Sequence, residues 1–231
     1  MIKVVVFISG GILPVLALAT IPTMFVAFMQ RDTEFAISLI VLALVTISIS
    51  YLIRKFVLPT RQLTTIQGFG AVGLSWIFMS LFGTIPYILS AIDLSYSNIF
   101  FETVSGLTTT GSSILTDIEA VDKSLLIWRS TTQWLGGMGV IVLTITILPL
   151  LGSGGINLFK AESPGPSADR LTPKFKDTAK LLWIVYISLT ILETILLYYS
   201  GLNIFDAFNH SLTTLSTVSY THLRAHETPC H

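Results

Sequence analysis

The chain has 231 residues, of which 52% are hydrophobic and 11% are charged, and its formal net charge at pH 7 is zero. A soluble domain carries about 25% charged residues, so this composition excludes a fully water-facing surface and indicates an integral membrane protein in a lipid bilayer. No basic surplus is present to neutralise phosphates, which argues against a nucleic-acid partner. The single cysteine, Cys230, excludes an internal disulfide framework.

The first predicted element is an apolar run from residue 4 to Met29. Its early lysine and the Ala-Leu-Ala triplet at 17–19 are also typical of a cleaved signal peptide. The run is long enough, however, to cross about 30 Å of hydrocarbon as a helix. We therefore expect a retained membrane helix.

Four further apolar segments are each long enough to span a bilayer as a helix. They cover residues 36–53, 68–90, 125–151 and 179–200. Basic residues concentrate in two connecting loops, one with Arg54, Lys55 and Arg61 and the other with Lys160, Arg170, Lys174 and Lys176. Because basic loops face the cytoplasm, we predict a multi-pass protein of the cytoplasmic (inner) membrane with a cytoplasmic amino terminus.

Two short segments repeat after the third and fifth spans. Residues 96–115 read "YSNIFFETVSGLTTTGSSIL" and residues 201–220 read "GLNIFDAFNHSLTTLSTVSY", with Asn-Ile-Phe and Leu-Thr-Thr recurring 105 residues apart. This match predicts an internal repeat. Segments of this length are too short to cross a membrane and are typical of re-entrant elements, and we expect a short helix at 98–107.

The first repeat contains Thr-Thr-Thr-Gly at 108–111. Backbone carbonyls in a ring can replace the hydration shell of K⁺. The threonines supply a stiff backbone, and a glycine permits the φ values that turn successive carbonyls one way. A short helix before the turn would aim its negative carboxyl end at the ion. The same residues are also typical of an ordinary helix-terminating or extracellular turn, and both interpretations stay open.

Longer strings are more specific than this tetrapeptide: "SLFGTIPYILS", "QWLGGMGVIVLTITILPLLGSGG", "FKAESPGP" and "LTPKFKDTAKLLWIVYISLTILE". In this order they resemble the bacterial Trk potassium uptake family (the Trk/Ktr/HKT superfamily) over about residues 60–217. The resemblance implies four helix–loop–helix units around one potassium pathway. It also implies a homodimer and a cytoplasmic nucleotide-binding regulatory subunit as a partner.

The resemblance assigns the potassium filter residue by residue to Thr109, Thr110, Gly111, Ser216 and Thr217. The second loop departs from the family's Ser-Thr-Gly-Gly, because Val218 and Ser219 follow Thr217 and valine lacks the backbone freedom of glycine. The family pattern relates the two loops by 107 residues, whereas the repeated tripeptides give 105. We follow the family pattern.

The Gly-, Pro- and Ser-rich stretch at 151–173 predicts a cytoplasmic loop between two units. The predicted organisation is an amino-terminal helix pair (1–56), a first helix–pore loop–helix unit (57–160), an incomplete second unit (161–217) and an atypical tail (218–231). We expect a truncated amino-terminal portion of a longer protein. The tail residues His222, His226, Cys230 and His231 could suggest zinc, but the tail begins where the family pattern breaks, so no metal besides K⁺ is expected.

Three other features are expected to have structural roles. "GGMG" at 136–139 is expected to let helices pack closely, and Arg129 and Gln133 to pack behind the first loop. Glu193 lies deep in an apolar segment, where we expect its carboxyl to be hydrogen-bonded inside the protein.

The sequence contains no phosphate-binding Gly-Lys-Ser/Thr loop and no plausible order of residues for a catalytic triad. Neither an enzyme nor an organic cofactor is therefore expected.

The sequence therefore predicts an all-α integral membrane protein with about five transmembrane helices and two re-entrant pore helix–filter loops. The expected function is K⁺ uptake through a carbonyl-lined selectivity filter. Two alternatives stay open, a small oligomeric cation channel and a membrane fragment that does not conduct.

Overall fold

The computed structural model describes residues 2–57, 65–90, 92–115, 118, 120–147 and 175–216. All regular structure in these ranges is helical, which confirms the predicted all-α class. The helices are α1 (Ile2–Ile12), α2 (Pro14–Met29), α3 (Thr33–Phe56), α4 (Thr65–Gly83), α5 (Ile85–Ile88), α6 (Tyr96–Leu107), α7 (Lys123–Ile147), α8 (Phe175–Tyr199) and α9 (Ile204–Ser216).

Four helical stretches are long and apolar enough to cross a membrane, and they match four of the five predicted spans. They are Ile2–Met29, Thr33–Phe56, Ile66–Ile88 and Thr178–Tyr199. The other predicted span corresponds to α7, which has 25 residues; its predicted end at 148–151 lies outside the described residues. Large apolar side chains such as those of Phe28 and Leu44 are exposed on the bundle surface, as lipid surroundings require.

Prolines break the first and third spans, which the sequence predicted as continuous helices. α1 gives way to α2 at Leu13, directly before Pro14, and α4 gives way to α5 at Thr84, two residues before Pro86. A proline has no N–H, and its ring clashes with the carbonyl four residues earlier. At the second break the indole Nε1 of Trp128 donates to the carbonyl of Gly83 at 3.3 Å, so α7 is tied to the end of α4.

α7 is the central helix of the described bundle. All residues from 124 to 133 are buried, and the helix packs against α2, α4, α6, α8 and α9. A helix that is buried on every side is enclosed by protein rather than lipid. α7 therefore lies between the amino-terminal helices and the second repeat.

α6 and α9 are the two short helices that the repeat predicted, with 12 and 13 residues. At about 1.5 Å per residue neither reaches across ~30 Å of hydrocarbon. Their first residues, 96 and 204, differ by 108 positions, and their last residues, 107 and 216, differ by 109. These offsets lie nearer to the 107-residue register than to the 105-residue one.

The chain enters α6 and returns to α7 at the same end of the bundle. A crevice of about 540 Å³ is lined by Ser90 and Asp93, which precede α6, and by Ala120 and Asp122, which precede α7. Asp32, in the turn between α2 and α3, lines the same crevice. Three loops that the predicted topology places on one side of the membrane thus lie together.

Candidate functional site

The turn after α6 is a Schellman motif. The backbone N–H of Thr109 donates to the carbonyl of Gly106, and that of Thr110 donates to the carbonyl of Ser105, both at 2.9 Å; these are the two hydrogen bonds of that motif. Thr109 has a φ of +55° and Gly111 a φ of +73°. The chain therefore turns sharply out of α6 within the predicted filter residues.

Thr109 occupies a backbone position at which glycine is usual. For a β-branched residue a positive φ is uncommon, and such strain costs about 1–3 kcal/mol. The flanking hydroxyls bond locally: Thr108 Oγ1 donates to the carbonyl of Val104 at 2.8 Å and lies 2.8 Å from Thr110 Oγ1. Because the single Thr108 proton is already used, Thr110 donates in that pair. The stretch thus has the local bonding of a helix-terminating turn.

Replacing Thr109 by glycine should stabilise the protein by about 1 kcal/mol, because left-handed backbone costs a residue with a Cβ about 1–2 kcal/mol. The matched variant Thr110→Gly should be destabilised by about 0.5–1 kcal/mol through the added freedom of the unfolded chain. Thermal unfolding of the purified protein in detergent measures both. Equal destabilisation by the two glycines would contradict the strained geometry at Thr109.

A fully buried ion pair lies behind the turn. Glu102 on α6 and Arg129 on α7 are both 0% exposed, and Arg129 Nε lies 3.1 Å from Glu102 Oε2. Glu102 Oε1 accepts from Ser113 Oγ at 2.7 Å and from the backbone N–H of Ile114 at 2.6 Å. Arg129 Nη2 donates to Ser113 Oγ at 2.9 Å. We call Glu102, Ser113, Ile114 and Arg129 the clasp, because together they fix the chain just after the turn to α6 and α7.

A further bond holds the turn from the α6 side. Ser105 Oγ donates to the carbonyl of Ser112 at 2.6 Å. Gly111 is thus enclosed between the Schellman bonds before it and the bonds at residues 112–114 after it. Charge-assisted hydrogen bonds such as those of Glu102 are stronger than neutral ones, so they anchor the segment that follows the turn.

Arg129 lies behind the loop, as predicted, whereas the roles of Glu102, Ser105 and Ser113 were not predicted from the sequence. Glu102 and Ser105 are three residues apart on one face of α6. The available signal for the ion pair was a carboxylate in a short apolar helix that is followed by a membrane helix with an arginine. Gln133, expected beside Arg129, is also buried, but its amide has no hydrogen-bond partner among the described residues. Within the described part of the site, Arg129 forms a hydrogen bond to the loop and Gln133 does not.

The second predicted filter segment is described only in part. Ser216 is the last residue of α9, is buried, and donates from Oγ to the carbonyl of Thr213 at 2.9 Å. Thr217 lies outside the described residues, as does the tail from 218 to 231. The ends of α6 and α9 both contact α7, at Gly136 and Gly137 respectively, so the structure brings Ser216 and the end of α6 to neighbouring faces of one helix.

The remaining candidates have structural roles in the described part of the chain. Glu193 of α8 is partly buried, and its carboxyl lies beside the Thr214 side chain of α9. Gly139 of "GGMG" approaches Trp76 of α4. Among the described residues no group of histidine, cysteine, aspartate and glutamate could hold a metal ion; the tail histidines lie outside these ranges.

Comparison with known proteins gives several relatives. The chain is 36% identical to the Trk system potassium uptake protein TrkH of Halomonas elongata, over 93% of this chain and 45% of that protein. It is 41% identical to the Escherichia coli K12 protein of the same name, over 67% of this chain and 32% of that protein. The chain thus spans less than half the length of the curated relatives it matches. These relatives are transport proteins, in agreement with the expectation that the chain is not an enzyme.

The fold has a counterpart among solved structures. The potassium transporter TrkH from Vibrio parahaemolyticus superposes with a TM-score of 0.75 and 28% identity, over 92% of this chain and 42% of that one. This likeness agrees with the sequence resemblance noted above. A model of the family described as "TrkH: Cation transport protein" matches residues 32–223. Because that match covers most of the chain, the chain belongs to the TrkH family of cation transport proteins.

Proposed function

We propose that the chain forms part of a potassium uptake protein of the cytoplasmic membrane. In this proposal the backbone carbonyls of Thr109, Thr110 and Gly111, together with those of Ser216 and Thr217, contribute two strands of a selectivity filter. K⁺ is the transported ion and no organic cofactor takes part. The relatives named above are potassium uptake proteins, which supports the choice of ion.

The observation that carries the proposal is the fixed turn at the end of α6. Two positive φ values turn the backbone at Thr109 and Gly111, and the clasp fixes the next residues with a carboxylate and a guanidinium that are both 0% exposed. Backbone carbonyls can replace the water around an ion only if the surrounding structure keeps their oxygens at fixed positions. A buried charge pair is costly to assemble, and a role in positioning the turn accounts for its presence here.

The course of the chain supports a re-entrant loop. Residues before α6 and after the turn line the same crevice, so the segment between them goes in and comes back at one end of the bundle. The carboxyl end of α6 carries a partial negative charge of about half an electron. Pointed into the bundle beside the turn, it would favour a cation there.

The wider assembly follows from the same proposal. The amino terminus is proposed to be cytoplasmic, and the positive-inside bias of the basic loops supports this orientation. A cytoplasmic nucleotide-binding regulatory subunit and a second copy of the protein are the proposed partners, and 1–56, 57–160 and 161–217 are the proposed units. Since the relatives are more than twice as long as the matched part, further units of the family pattern would complete the pathway.

Tracer uptake tests the proposal. The 231-residue chain and a chimera, in which the remaining units of the Escherichia coli relative follow residue 216, are expressed in cells that lack their own potassium uptake. Growth at low K⁺ and ⁸⁶Rb⁺ uptake are measured. We expect the chimera to restore both and the 231-residue chain alone to restore neither.

Other outcomes separate the alternatives. Rescue by the 231-residue chain alone would favour an oligomeric channel in which several copies supply the missing loops. A chimera that reaches the membrane but carries no K⁺ or Rb⁺ would contradict the proposed function and favour a fragment without transport activity.

A further inference from the structure

Two consecutive glycines of α7 touch the ends of both short helices. A Cβ added at Gly136 would overlap the carbonyl oxygen of Leu107 and lie 2.7 Å from its carbonyl carbon. A Cβ added at Gly137 would lie 3.1 Å from both Cα and Cβ of Ser216 and 2.9 Å from Tyr186 Oη. Neither methyl group fits unless a neighbouring backbone or side chain moves.

The two glycines point to different helices. Consecutive residues of an α-helix project about 100° apart, so Gly136 faces the end of α6 while Gly137 faces the end of α9. The α7 backbone is thus in close contact with both ends. Leu107 precedes Thr109 by two residues, and Ser216 is itself a proposed filter residue. Because these contacts involve backbone atoms of Leu107 and Ser216, no rotamer change at those residues can relieve them.

We propose that Gly136 and Gly137 are positioning residues that set the spacing and depth of both filter strands. The inference rests on the proposed function, since it takes the ends of α6 and α9 to carry filter residues. A methyl at position 136 would displace the end of α6 with its turn, because close-packed interiors transmit such shifts rather than absorb them. The clasp fixes residues 113 and 114 on the far side of the turn, so the turn would then be held in a distorted shape.

Two other glycines provide matched controls in membrane helices. A Cβ at Gly139, two residues after Gly137 on α7, would meet Trp76 at 3.4 Å, which is ordinary contact. A Cβ at Gly73 of α4 would meet nothing within 4 Å. Gly139→Ala and Gly73→Ala therefore report what alanine itself does to such a helix.

The test uses the chimera described above and measures both the amount of protein in the membrane and the ratio of K⁺ to Na⁺ uptake per molecule. We expect Gly136→Ala and Gly137→Ala each to lower this ratio roughly tenfold or more, as overpacking of a tight contact predicts. Gly139→Ala and Gly73→Ala should leave the ratio unchanged. Gly137→Ala combined with Tyr186→Phe should remain impaired, because the contact with the Ser216 backbone persists.

Several results would overturn the inference. The inference is wrong if the ratio of K⁺ to Na⁺ uptake is unchanged in both glycine variants. It is also wrong if uptake falls only in proportion to the amount of protein in the membrane, since the two glycines would then have a packing role alone. Recovery in the Tyr186→Phe double variant would assign the constraint at Gly137 to α8 instead of α9. A wild-type chimera without flux contradicts the proposed function itself, whereas a transporting chimera with unaffected glycine variants contradicts the positioning role alone.

Discussion

Replacing Arg129 by methionine is expected to destabilise the protein by about 3–5 kcal/mol, because it leaves a buried carboxylate without its counter-ion. Glu102 and Arg129 are both 0% exposed and joined at 3.1 Å. Ser113 would also lose its bond to Arg129 Nη2. We expect the unfolding midpoint in detergent to fall sharply, and uptake by the chimera to be lost with it.

The double variant Glu102→Gln/Arg129→Met is the informative control. It removes both charges, while the glutamine carbonyl can still accept from Ser113 and Ile114. It should therefore be more stable than Arg129→Met alone. Lys123→Met removes an exposed cation at the start of α7. Lys123 Nζ lies 5.3 Å from the centre of the Phe205 ring, so this variant should lower the free energy of unfolding by at most about 1 kcal/mol. A double variant as unstable as the single one would show that the orphaned carboxylate is not the cause.

Replacing Gly111 by valine should give the second large effect, a fall in the ratio of K⁺ to Na⁺ uptake. The φ of +73° at Gly111 costs a residue with a Cβ about 1–2 kcal/mol, and a β-branched side chain is worst placed to adopt it. The turn would relax toward negative φ and re-aim the carbonyls on either side. Uptake of ⁸⁶Rb⁺ and ²²Na⁺ by the full-length chimera measures the change, and Gly111→Ala should fall between valine and wild type.

Ser112→Val is the neighbouring control. Ser112 contributes its carbonyl, and not its side chain, to the bond with Ser105 Oγ. Among the described residues other than glycine, positive φ occurs only at Arg31 and Thr109, so valine is tolerated by the backbone at 112. An equal loss of selectivity in both valine variants would point to bulk near the turn instead of its backbone geometry.

The spans and the short helices were predictable because they depend on local physics. Length and apolarity define a membrane helix, and they located four of the spans, while the repeat indicated the position of α6. The breaks at Pro14 and Pro86 were also readable in principle from the missing N–H of proline. Both prolines lie inside continuous apolar runs, and apolarity alone predicts unbroken helices there.

The site was predictable only where a single residue type dictates the geometry. Gly111 was expected to adopt an unusual φ, and it does. A positive φ at Thr109 was not expected, because local preference disfavours it and the Schellman bonds override that preference. The pairing of Glu102 with Arg129 joins residues 27 positions apart, and no local pattern specifies such a contact. Likewise, "GGMG" indicated close packing but not which helix faces each glycine.

The ion pair also bears on how the protein enters the bilayer. An arginine in a lone membrane helix is costly during insertion by the translocon. Glu102 leaves the ribosome before Arg129, and both precede α8. If α6 and α7 associate while still at the translocon, the carboxylate can shield the guanidinium from the lipid. The early helices would then be integrated as a neutral hairpin, before the second repeat has been synthesised.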